Sequence, residues 1–140
     1  MAELKPEDER YVRHAGDASR FSLAQAFACA RAGLRYAVAS QRNFKVHAVF
    51  AALAIILGAL FQISAAEWIA IVLCMVAVLS FELINTAVES VVDLASPEWS
   101  ELAKHAKDCA AASVYVAAIG SVIVAAIIFI PPILELAGII

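Results

Sequence analysis

Two stretches of this chain run without a charged residue for longer than an ordinary core helix needs. Ala48 to Ala66 contains 19 such residues and Cys109 to Leu134 contains 26. A hydrocarbon layer about 30 Å thick is crossed by about 20 helical residues, so each stretch is long enough to span one. A third stretch, Trp68 to Phe81, has only 14 charge-free residues, but its apolar character continues through Leu83, Ile84, Ala87, Val88, Val91 and Val92. It qualifies as a span if Glu82, Asn85 and Glu89 lie in or beside the membrane.

Composition agrees with that reading. The 140 residues are 64% hydrophobic and 16% charged, against about 45–50% and about 25% in soluble domains. A chain this short has proportionally more surface to cover with polar groups. A water-soluble monomer is therefore excluded, and so is disorder, which requires low hydrophobicity and high net charge. A net charge of −3 offers no basic excess for nucleic acid. Cys29, Cys74 and Cys109 are odd in number and widely spaced, which argues against a disulfide framework or a zinc site and reads as small buried apolar residues. The start, MAELKPEDERYVRHAGD, contains no apolar stretch of the kind a targeting signal carries.

The predicted fold class is all-α: a membrane protein with three transmembrane helices and an N-terminal amphipathic surface helix. Residues 1–17 form a polar head, and 18–140 form one membrane domain. The surface helix is expected over about 18–40, and the spans over about 46–64, 67–93 and 106–131, with Pro131-Pro132 ending the last. Arg20, Arg31 and Arg35 fall within roughly 60° of one another on the first helix. Arg42 and Lys45 extend that stripe if the helix continues, and a helix of this kind suits the membrane interface. Eight of the ten lysines and arginines precede residue 48, and Lys104 and Lys107 lie between the second and third spans. The positive-inside rule then puts the N-terminus and the 94–108 loop in the cytoplasm, and the 62–67 turn and the C-terminus outside.

The chemistry is expected in Phe81-Glu-Leu-Ile-Asn-Thr-Ala-Val-Glu-Ser-Val-Val-Asp93. Glu82, Asn85, Glu89 and Asp93, at successive separations of 3, 4 and 4 residues, stack within about 80° on one helix face, over roughly 16 Å. Acids at such spacing ordinarily mark a solvated face. Here the other faces are apolar and the chain has just left a span, so the acids point to a bundle interior, a pathway or a bound cation. Lys107-Asp108 sits level with the lower end of that face. Lysine beside carboxylates suits phosphate bound with Mg²⁺. There is no Gly-rich phosphate loop and no kinase-type catalytic loop. The residues themselves reach as far as a membrane bundle with an acidic, cytoplasm-facing site for a metal and a polyanion.

With those motifs the sequence resembles the bacterial integral-membrane diacylglycerol kinase and undecaprenol kinase family over about residues 20–133. The most specific part is Glu82-Leu-Ile-Asn-Thr-Ala-Val-Glu89 with Val-Val-Asp93, then Ala-Lys107-Asp108. Arg42-Asn-Phe-Lys-Val-His47 and Ile-Ser-Ala-Ala-Glu67-Trp are similar to the undecaprenol kinase branch. The resemblance implies ATP-dependent phosphorylation of a lipid hydroxyl in the bacterial cytoplasmic (inner) membrane, with ATP and Mg²⁺, by a homotrimer. It implies Glu82 as the catalytic base, and Glu89 with Gln41 as metal-holding positions. Arg20, Gln41, Asn85, Glu89, Asp93, Lys107 and Asp108 would form the ATP site. The implied acceptor is undecaprenol. Diacylglycerol is the alternative, and a non-enzymatic bundle or small transporter subunit is the reading from another class. The chain departs from the family pattern at Gln41, where a glutamate is usual, and at Ser100, often a histidine.

Overall fold

A computed structural model describes residues 22–139; the head and Arg20 lie outside the described residues. Every regular element is an α-helix, with no strand among the described residues. The chain divides into two units, Met1–Ser40 and Gln41–Ile140.

The first unit contributes α1, Leu23–Ser40. Ser22 and Gln25 open it reciprocally: the Ser22 N–H donates to Gln25 Oε1 at 2.8 Å and the Gln25 N–H to Ser22 Oγ at 3.3 Å. Two of the orphan donors of the first turn are thereby satisfied. Arg31 and Arg35 are exposed, as are Leu23, Phe27, Leu34 and Val38.

The second unit is a bundle of α2 (Arg42–Leu60), α3 (Ala65–Ala95) and α4 (Glu101–Leu136). All three are long and apolar enough to cross a membrane. The arginine stripe does not run on as one helix, because Gln41 between α1 and α2 is extended, with φ −98° and ψ 118°. At about 1.5 Å per residue, α3 and α4 overrun a hydrocarbon layer by several turns. Their far ends, joined by a short loop containing Pro97, are where the charged residues collect.

Packing is tightest at the opposite end. Ile71, Ile128 and Phe129 form the core there, with Leu57, Phe61, Ile63 and Met75 against them. The rings of Phe61 and Phe129 lie 6.4 Å apart. Trp68 crosses α2 at Gly58, where an added Cβ would stand 2.9 Å from the indole. The turn into α3 uses Gln62 at φ 52°. It then closes with a capping box in which Glu67 accepts from the Ser64 N–H at 2.7 Å. The Ser-x-x-Glu pattern at 64–67 is the sequence signal for this task of Glu67.

Two sequence expectations change here. Pro131-Pro132 do not end α4, which continues to Leu136. Each proline removes one N–H and crowds the preceding turn. The stop comes instead from Gly138 at φ 67°, where Gly138 and Ile139 donate to Glu135 and Leu134 in a Schellman closure. The cysteines are not fully buried: Cys29 and Cys74 are half-buried and Cys109 is exposed.

Candidate functional site

The inward face of α3 carries Ile71, Val78, Glu82, Asn85 and Thr86, all buried. Spacings of 7, 4 and 3 between the first four keep them within about 60° of one another. The polar residues therefore continue the core stripe rather than forming a solvated face. Glu82 is 2% exposed and Asn85 6%. Hydroxyls beside them turn back onto their own helix: Thr86 donates to the Glu82 carbonyl and Ser90 to that of Thr86, each at 2.8 Å.

Glu89, one turn further, is held from two sides. Asn85 Nδ2 donates to Glu89 Oε1 at 3.1 Å, and Gln41 Nε2 donates to Glu89 Oε2 at 3.3 Å. Gln41 is the N-cap residue of α2, yet its side chain makes no capping hydrogen bond. That side chain reaches instead to a residue 48 positions later. Asn85 Oδ1 is the one buried side-chain polar atom among the described residues without a hydrogen-bond partner.

The charged end follows. Asp93 is ion-paired with Lys107 across the α3–α4 hairpin, and Asp108 is paired with Lys104 on its own helix at 2.5 Å. The structure thus brings Gln41, Asn85 and Glu89 into one cluster and joins Asp93 to Lys107. Glu82 lies nearly two turns before Glu89 on the same face. Asp108 faces Lys104 rather than the cluster, and Arg20 lies outside the described residues. Ser100 caps α4, accepting from the Ala103 N–H at 3.4 Å, which gives this departure a structural task.

Below Glu82 runs an apolar groove of about 290 Å³ between the three helices. His47, Phe50, Ala51 and Ala54 line it from α2; Ile71, Cys74, Met75, Val78 and Leu79 from α3; Ala118, Ser121, Val122 and Ala125 from α4. Val78 and Leu79, which line it, are about one turn before the buried Glu82 on α3. His47 is the one imidazole lining the groove. It was not singled out as a site residue, although Phe44, His47, Ala51, Ala54 and Gly58 follow the 3–4 spacing of an inward helix stripe.

Among the described residues no three His, Cys, Asp or Glu side chains converge as a metal site. What converges is one carboxylate and two amides. Amide and carboxylate oxygens are hard ligands, and the partnerless Asn85 Oδ1 is a buried acceptor beside them. This set fits Mg²⁺, which is ordinarily held by one or two carboxylates while substrate phosphates and water complete its shell.

Known proteins share this arrangement of sequence. The pattern of the prokaryotic diacylglycerol kinases matches residues 28–129. A diacylglycerol kinase of Synechocystis is 43% identical over 116 residues, covering 82% of this chain and 66% of that protein. An undecaprenol kinase of Bacillus subtilis is 39% identical over 118 residues, covering 84% of this chain and 94% of that protein. A diacylglycerol kinase of Escherichia coli is 32% identical over 91 residues, covering 65% and 75%. A match that takes in most of the bundle, with the cluster on α3 inside it, has one meaning: this chain belongs to the prokaryotic diacylglycerol kinase family of membrane lipid kinases.

Proposed function

We propose that the chain transfers the terminal phosphate of ATP to the hydroxyl of a membrane lipid, undecaprenol, giving undecaprenyl phosphate and ADP. The observation that carries this reading is an apolar groove whose lining comes within about one helical turn of the buried Glu82. In this reading an apolar chain lies between the helices, with its alcohol end toward a carboxylate that is 2% exposed.

In this reading Glu82 accepts the hydroxyl proton as the lipid oxygen bonds to the terminal phosphorus and the bond from phosphorus to ADP breaks. Glu89 and Gln41, with Asn85 beside them, would hold the Mg²⁺ that accompanies ATP. When bound, that ion offsets the negative charge of the phosphates. Lys107 supplies a positive charge at the phosphate end, and Asp93 fixes its position through their ion pair. Asp108 and Arg20 complete the nucleotide site. The working unit is a homotrimer in the bacterial inner membrane, with the N-terminus and the charged end of the hairpin in the cytoplasm and the C-terminus outside.

Diacylglycerol is the second acceptor, favoured by the 43% identity to a protein named as its kinase. Undecaprenol is preferred on the 42–47 and 62–68 segments and on the 94% coverage of the Bacillus protein. ATP consumption by the purified chain in micelles, with each lipid offered separately, tests both. Faster turnover with undecaprenol supports the proposal, and faster turnover with diacylglycerol reassigns the acceptor. No turnover with either returns the chain to a non-enzymatic bundle.

A further inference from the structure

Both carboxylate oxygens of Glu89 are engaged, each by a neutral amide, one from α3 and one from the residue that opens α2. An amide carries a donor at one end and an acceptor at the other. Turned end for end, it offers an oxygen where it now offers an N–H. The cluster thus has two arrangements. In the first, two donors satisfy a lone carboxylate. In the second, a carboxylate and two amide oxygens face a cation. Asn85 Oδ1, buried and without a partner, is the acceptor that the first arrangement leaves idle.

We propose that Gln41 and Asn85 stand in for the divalent cation on Glu89, so that this chain takes up the cation together with the nucleotide and not before it. The nucleotide half of this inference rests on the function proposed above. Two charge-assisted hydrogen bonds must open before the second arrangement forms. That arrangement then supplies a single negative charge, with no group of three acidic or imidazole ligands among the described residues to add to it. Mg²⁺ dehydrates reluctantly and seeks six oxygens, so the cluster is a poor site for the bare ion. Phosphate oxygens that arrive with the nucleotide supply the missing ligands and charge. Gln41 is the residue that sets this order: as a glutamate it could not donate to Glu89, and two carboxylates would face each other with a standing demand for a cation.

The test uses Mn²⁺ as a paramagnetic probe on the full chain in micelles, with and without a non-hydrolysable ATP analogue, and reads free Mn²⁺ by its resonance signal. The native chain is expected to retain Mn²⁺ weakly alone, and about tenfold or more tightly with the analogue. Gln41→Glu is expected to retain Mn²⁺ alone about tenfold more tightly than the native chain. Equal retention by the two without nucleotide overturns the proposal. Gln41→Leu, which removes the donor and adds no oxygen, should weaken Mn²⁺ retention in the presence of the analogue; native-like retention there also overturns it. Binding of the analogue is followed separately by its own label. Failure of every variant to bind it overturns the kinase reading and the nucleotide half of this proposal, while the comparison without nucleotide still judges Gln41.

Discussion

A carboxylate at 2% exposure in a helix that crosses lipid, such as Glu82, is costly to keep without a role. Glu89 on the same face is satisfied by two amides. In the proposed reaction the two acids do different work, one taking up a proton and one holding charge in place. Glu82→Gln should lower turnover by about 10²–10⁴-fold while binding of a labelled ATP analogue stays near native; turnover near native would remove Glu82 as the base. Lys107 is half-buried and paired with a mostly exposed Asp93, and pairs of that kind contribute about 0–1 kcal/mol to stability. Lys107→Met should accordingly raise the KM for ATP with little movement of the melting temperature. A large fall in melting temperature with unchanged KM would make the pair structural.

At the scale of elements, the helix ends explain why the acidic face meets Gln41. The capping box at Ser64 and Glu67 fixes where α3 begins, and the Trp68–Gly58 crossing fixes how closely it approaches α2. A side chain at position 58 would have to displace the indole. Gly58→Leu should therefore lower the melting temperature in micelles, and Trp68→Ala in the same chain should recover part of the loss. Additive losses would separate the two positions. Sequence patterning found all three spanning helices, because each carries a long apolar run. It missed the run of α4 through Pro131-Pro132 to Leu136, since proline is a local signal and the Gly138 closure lies just beyond it.

For the whole molecule, the bundle is packed at the 61–63 turn and polar at the other end, with the groove between. The polar end carries Lys104 and Lys107 in the first two turns of α4. Membrane-impermeant thiol labelling of single cysteines, in a background lacking Cys29, Cys74 and Cys109, should reach position 62 from outside intact cells and position 97 only after lysis. The reverse pattern would invert the proposed orientation. The exposed apolar side chains around all three helices, Phe50, Ile56, Leu73, Val116 and Ile127 among them, suit a lipid or protein surround.

What the sequence determined by itself was the number of spanning helices and the face of α3 that carries Glu82, Asn85, Glu89 and Asp93. Both follow from periodicity, which is local: an apolar run of sufficient length, and polar residues at 3 and 4 spacing. Tertiary structure decided what each polar group meets. Only packing brings Gln41 to Glu89 across 48 residues, leaves Asn85 Oδ1 without a partner, and lines an apolar groove from three helices. Such contacts depend on where two helices cross, and no single helix period encodes that.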